Sequence, residues 1–228
     1  MLKIISKYSK TGNLKYISHL DVLRFIQRAV KRAGIPAKYS EGYNPHMKTS
    51  FGFPLSLGNE SIGEYFDLEL NEEIDINDFV VRMNNVLPKE MRILKAEYTE
   101  STESIMSRCQ YVEYIINIEF ENLDIDELNV YFEEMLQNGV IYERKKKNKK
   151  NKNVIKEINT KDLIKYLHGK KTSENTAVIE VVFLTTETGS MKTDEFMKLI
   201  ENKGFNLSYY TIMKIDSLDE NMKPILEQ

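Results

Sequence analysis

Cysteine is almost missing from this sequence: Cys109 is the only one in 228 residues. One thiol cannot form an internal disulfide, and it falls short of the three or four thiolates that hold an iron–sulfur cluster. The same count argues against a cysteine-based zinc site. Such sparing use fits a reducing compartment. Long apolar runs are missing too, since nothing approaches the ~20 residues that span a bilayer. Residues 1–6 are too short and too interrupted for a signal peptide. A cytoplasmic protein without membrane contact is therefore expected. Several motifs are absent. There is no Gly-x-x-x-x-Gly-Lys-Ser/Thr loop, no Gly-x-Gly-x-x-Gly fingerprint and no Gly-x-Ser-x-Gly elbow. Nucleotide hydrolysis, hydride transfer and serine hydrolysis are disfavoured, and no cofactor or metal is expected.

What is present is ordinary in bulk and uneven in detail. Hydrophobic residues make up 41% and charged residues 29%, enough for one large core or two small ones. The net charge of −3 gives no bulk attraction to nucleic acid. Acidic residues concentrate in 60–78, 119–134 and the tail, while cations concentrate in 24–32 and 144–156. Binding to a polyanion depends on such patches more than on totals.

Periodicity predicts an α+β fold of two tandem ferredoxin-like (β-α-β-β-α-β) domains, 1–99 and 110–217, with a tail at 218–228. In the first, residues 2–8 read as a strand and Gly12-Asn13 as a turn. Ser18 caps a helix, with Asp21 completing a Ser-x-x-Asp pattern. Leu20, Leu23, Ile26, Val30 and Ala33 recur at helical spacing, and Gly34 and Pro36 stop the helix. Strands at 49–56 and 63–70, a helix at 76–86 and a strand at 92–99 follow. Residues 99–108 read as a polar linker. In the second, strands are expected at 111–120, 140–144, 153–158, 176–186 and 207–215. Helices are expected at 125–137, 161–167 and 193–203. The repetition rests on element order, with no residue-level repeat.

Residues 10–58 are the richest segment. They hold two of the three histidines, five of the ten glycines and three of the five prolines. Arg24, Arg28 and Arg32 recur at four-residue spacing with Lys31 between them, on a face away from the apolar stripe. Such a ladder tracks phosphates, because each guanidinium forks onto two oxygens; the same spacing also fits a solvated helix face. The loop at 39–48 combines Tyr39, Tyr43, Asn44, His46 and Lys48, which offer stacking surfaces and a phosphate contact. His19 and His46 are the candidate catalytic residues, as an acid–base pair on a phosphodiester. With Asp21, Glu41 or Glu64 they also offer ligands to a divalent metal. Further along, Arg144, Lys145, Lys146, Lys147, Lys149 and Lys150 form a polycationic tract. Such a tract gains affinity for nucleic acid by releasing counterions, whatever the sequence.

The run Tyr16-Ile17-Ser18-His19-Leu20-Asp21, then 28–36 (Arg-Ala-Val-Lys-Arg-Ala-Gly-Ile-Pro), then 39–46 (Tyr-Ser-Glu-Gly-Tyr-Asn-Pro-His), then 53–58 (Phe-Pro-Leu-Ser-Leu-Gly) and Glu64 closely resembles the radical-SAM-linked bacterial family of unknown function. The likeness is dense over residues 3–70 and thins beyond. It implies a partner, a radical SAM enzyme acting in trans. The three-cysteine cluster motif missing here would belong to that partner. It carries over no catalytic residue. The expected function is an accessory module that binds structured RNA, tRNA or rRNA, for the partner enzyme. Arg24, Arg28, Arg32, Lys48 and the 144–152 loop would hold phosphates, and Tyr39 and Tyr43 would stack bases. Two alternatives stand beside it: an RNA-processing or RNA-modifying enzyme using His19 and His46, and a protein–protein adaptor without nucleic acid.

Overall fold

A computed structural model describes residues 2–147, 153–186 and 189–226, with 146, 147, 153, 186 and 189 described in backbone only. The fold is mixed α+β, with a large mixed β-sheet and, among the described residues, five α-helices. None of these helices is long and apolar enough to cross a membrane. The chain divides into two compact units: Met1–Gln110 with Met213–Gln228, and Tyr111–Ile212.

The first unit is built on β1 (Lys3–Lys10), which pairs antiparallel with β3 (Glu60–Glu69) on one side and β4 (Ile93–Tyr98) on the other. The short β2 (Thr49–Phe51) pairs antiparallel with β3. The last strand of the chain, β11 (Leu207–Leu218), meets β3 in parallel, Met213 opposite Glu60 and Lys214 opposite Ser61. Helices α1 (His19–Arg32) and α2 (Ile76–Val86) share one core with Ile4 and Tyr8 of β1 and Phe66 and Leu68 of β3.

Helix α1 starts where its cap predicts: the Ser18 hydroxyl accepts the Asp21 N–H. It stops at Gly34, whose φ of 63° favours glycine. Its buried stripe is Val22, Ile26, Ala29, Val30 and Ala33. Leu20, expected on that stripe, is 60% exposed. Two residues before Val22 it is turned about 200° around the axis, onto the outer side. The strand expected over 49–56 is cut to Thr49–Phe51, because Pro54 has no N–H to extend a ladder. The stretch read as a linker holds a one-turn helix, α3 (Ile105–Arg108), capped by Ser104, with Ile105 and Cys109 buried.

The second unit centres on β5 (Tyr111–Phe120) and β9 (Thr176–Thr186), antiparallel from Tyr111 opposite Leu184 to Glu119 opposite Thr176. β8 (Ile164–Lys171) pairs with the outer side of β9, and β11 flanks β5. The two-residue β10 (Gly189–Ser190) turns back onto β9. Helices α4 (Ile125–Gln137) and α5 (Thr193–Lys203) cover one face, on a core that includes Ile116, Phe132, Ile179, Phe183, Phe196 and Ile200. β6 (Ile141–Lys147) and β7 (Asn153–Asn159) form a separate two-stranded hairpin.

Residues 161–167 are not the expected helix. They are the end of a 3-10 turn and the start of β8. A bulge between Ile164 and Tyr166 breaks the two-residue alternation. It leaves Ile164 and Leu167, three apart, both buried, and that spacing imitates a helix.

The second unit ends at Ile212, short of the expected 217, and the residues read as a tail belong to the first unit. Residues 213–217 and the tail are held there by charge and by burial: Lys214 pairs with Glu64, Asp216 pairs with Lys7, and Ile225 and Leu226 are buried. The approach of β11 to β3 is close enough to require glycine at 63. A Cβ there would sit 2.5 Å from the Asp216 Cα.

Candidate functional site

The solvent face of α1 carries Arg24, Arg28, Lys31 and Arg32, all exposed. Arg24 makes a surface pair with Asp21 at 3.4 Å, and Arg32 reaches the Val86 carbonyl at 3.2 Å while lying over the Phe25 ring. Beside this face, residues 38–48 fold into a short hairpin. The Lys48 N–H donates to the Lys38 carbonyl, the Ser40 N–H to the His46 carbonyl and the His46 N–H to the Ser40 hydroxyl, all within 2.9 Å. Lys38 and Lys48 flank the Glu69 carboxylate at 3.7 and 3.5 Å. The tip, residues 41–46, is exposed throughout, Tyr43 most of all. The helix and the hairpin touch where the Lys31 ammonium lies 5.6 Å over the Tyr39 ring. The ladder and the loop are therefore neighbours, a cationic surface edged with aromatic rings.

His19 opens α1 and is partly buried, its ring set edge-on to Phe51 at 6.2 Å. Burial holds its pKa below the ordinary 6.5; Lys10 adds to the depression, and Glu64 opposes it. A neutral imidazole at the start of a helix suits a proton acceptor. The groups around it are mostly buried and paired. The Lys214 ammonium sits 2.7 Å from the Glu64 carboxylate, which also accepts the Ser61 hydroxyl at 3.0 Å. Lys10 donates to the Ile17 carbonyl at 3.0 Å. Burial, and then Glu64, push the Tyr8 hydroxyl pKa well above 10.0. Among the described residues no contact joins His46 to His19. No three His, Cys, Asp or Glu side chains converge to hold a metal ion among the described residues. His19 with Asp21, Glu41 or Glu64 thus gives no such site.

In the second unit the basic hairpin is less uniform than its sequence. Arg144 is not presented to solvent: its guanidinium forks onto Glu195, 2.9 Å from Oε1 and 2.5 Å from Oε2, and also donates to the Tyr142 hydroxyl. Burial and then Glu195 push Tyr142 up to about 12. Lys145 is exposed. Lys146 and Lys147 continue β6 in backbone, and Lys149 and Lys150 lie outside the described residues.

The Glu64–Lys214 pair was half visible in the sequence. Glu64 shares the phase of Phe66, Leu68 and Leu70, the core-facing side of β3, and a carboxylate in that phase signals a buried partner. The partner lies 150 residues away, where no local pattern points to it.

A chain of the crystal structure of a Cbf5–Nop10–Gar1 complex is similar in fold, with a TM-score of 0.52 at 10% identity. The match covers 94% of this chain and 48% of that one. A chain of an H/ACA RNP bound to a substrate RNA containing 2'-deoxyuridine matches with a TM-score of 0.48 at 10% identity, over 94% of this chain and 47% of that one. This chain thus spans about half the length of both, and at such identity the likeness concerns the fold alone. No curated protein matches the sequence. Residues 3–193 match the model of a family described as an uncharacterized protein conserved in bacteria, DUF2344, and the chain belongs to that family.

Proposed function

We propose that this chain is an accessory module that binds structured RNA, such as tRNA or rRNA, for a radical SAM enzyme acting in trans in the bacterial cytoplasm. Each unit reads as a ferredoxin-like fold. The antiparallel order β4-β1-β3-β2 supports this in the first unit, and β11-β5-β9-β8 supports it in the second. On this reading β6 and β7 are an insertion.

The observation that carries the RNA reading is the Lys31–Tyr39 contact, which sets the arginine ladder of α1 beside the base of the hairpin whose tip is exposed. Arg24, Arg28 and Lys31 hold phosphates, and Tyr39 and Tyr43 offer faces to bases. Arg144 drops out of the contact set because Glu195 already holds it. Lys145 and the lysines after it remain.

The test is a filter-binding titration against tRNA and rRNA fragments across salt concentrations. Affinity should fall linearly in log–log form, and Arg24→Ala with Arg28→Ala should reduce the slope by ~2. Absence of RNA affinity at low salt overturns the reading. Capture of the radical SAM enzyme that survives nuclease treatment, without RNA affinity, favours an adaptor instead.

A further inference from the structure

The helix-free face of the second unit carries a cavity of about 270 Å³ that the RNA surface above does not use. Asn117 and Glu119 of β5, Thr176 of β9, Thr172 in the turn before it, and Tyr209 and Thr211 of β11 line it. The floor is firm. Ile118 and Ala177 are buried beneath, the Phe120 N–H donates to the Asn175 carbonyl, and the Glu121 N–H donates to the Asn206 carbonyl. The Thr172 and Thr176 hydroxyls hold each other at 2.8 Å. Tyr209 is 63% exposed at the rim. Among the described residues no ion pair or hydrogen bond occupies the Glu119 carboxylate, the Asn117 amide or the Tyr209 hydroxyl.

The lining selects its ligand. It contains a carboxylate and no cation, so a phosphate is repelled from it. One ring at the rim and a small volume suit one planar base stacked on Tyr209. An ionised carboxylate only accepts hydrogen bonds, so the edge it meets must donate. Guanine alone among the four RNA bases presents two adjacent donors, its ring N1–H and its exocyclic amine. Adenine and cytosine set a lone amine beside an acceptor nitrogen, and uracil sets one N–H between two carbonyls. A cation for the phosphate is available farther out on the same face. Lys170 registers with Val178, and Val178 with Asn117, which places it two strand spacings, ~10 Å, from Asn117.

We propose that this cavity binds a guanine base of single-stranded RNA, with Tyr209 stacking on the ring and Glu119 accepting its two donors. As to the source of the base, this rests on the RNA reading above. Guanine itself is recognised by chemistry that a free nucleotide shares.

The experiment is an amide-NMR titration of the full chain with the 5′-monophosphates of guanosine, adenosine, cytidine and uridine. Guanosine monophosphate should shift the amides of 117, 119, 176, 209 and 211 with a Kd on the order of 1 mM or tighter. The other three should bind ~10-fold more weakly. Glu119→Gln should remove that preference, and Tyr209→Ala should weaken all four by ~10-fold. Both side chains are exposed, so the spectra of the variants report an intact fold directly. No shift at these amides, or equal affinity for all four nucleotides, overturns the proposal. A short unpaired RNA with one guanine should bind more tightly than the mononucleotide, and equal binding assigns the cavity to a free nucleotide, against an RNA source. Arg24→Ala with Arg28→Ala should weaken structured-RNA affinity at low salt and leave the guanosine titration unchanged. Guanosine binding without any RNA affinity therefore sinks the RNA reading alone, and the reverse sinks the cavity alone.

Discussion

Glu64 and Lys214 form an ion pair of 2.7 Å whose side chains are 6% and 3% exposed. Taking two charges out of water costs about as much as their attraction returns, so the pair adds little net stability. Removing one partner strands the other in the interior. Glu64→Gln or Lys214→Met alone should therefore cost ~3–5 kcal/mol, and the two together much less than the sum. Urea unfolding of the four proteins checks this. Additive single effects would show that the residues are not coupled.

Gly63→Ala should be among the most disruptive single-methyl changes. The added carbon meets backbone atoms of Ile215 and Asp216, which have no rotamer to yield. Separation of β11 from β3 should cost ~3 kcal/mol. Hydrogen exchange at 213–216 should accelerate ahead of the remainder of the first unit.

Arg144 and Lys145 are adjacent in a basic tract and should behave oppositely. Arg144→Ala removes the fork onto Glu195, where the side chains are 11% and 16% exposed, and should lower stability by ~2 kcal/mol while leaving RNA affinity intact. Lys145→Ala should leave stability unchanged and weaken RNA binding at low salt. Thermal unfolding and filter binding on the two variants separate the effects.

Acid should weaken the fold through His19. Its folded pKa lies below 6.5, with burial as the main cause. Above that value the imidazole is neutral in both states and costs nothing. As pH falls through 6.5 the unfolded chain takes up a proton that the folded one resists. Stability is lost until pH passes the folded value. At the other end, burial raises Tyr8 and Tyr65 above 10.0, so stability should fall again as pH rises past that value. NMR titration of the His19 ring checks the first, and its substitution by Gln should flatten the acid limb.

Elements with local grammar were legible in the sequence. The Ser18 cap, the Gly34 stop, the alternation of β3 and the β-branched run of β9 each carry their signal within a few residues. Features decided at a distance were not. The bulge at Ile164–Tyr166 is set by pairing with β9, and without that strand in view its spacing reads as helix. The site shows the same division. The arginine ladder of α1 is visible as periodicity, whereas the loss of Arg144 to Glu195 depends on a residue 51 positions away. The cavity at Tyr209 gathers side chains from 117 to 211, and no stretch of sequence announces it.

The chain leaves the first unit at Gln110 and returns at Met213. A ribosome therefore finishes every residue of the second unit before it delivers the strand that the first one still lacks. Until then Glu64 waits for a lysine 150 residues downstream, and Tyr65 for an aspartate 151 downstream. Of the two units, the one begun first is completed last. During synthesis its unfinished β3 is an open edge with an unmatched charge, the stage at which a chaperone would matter most.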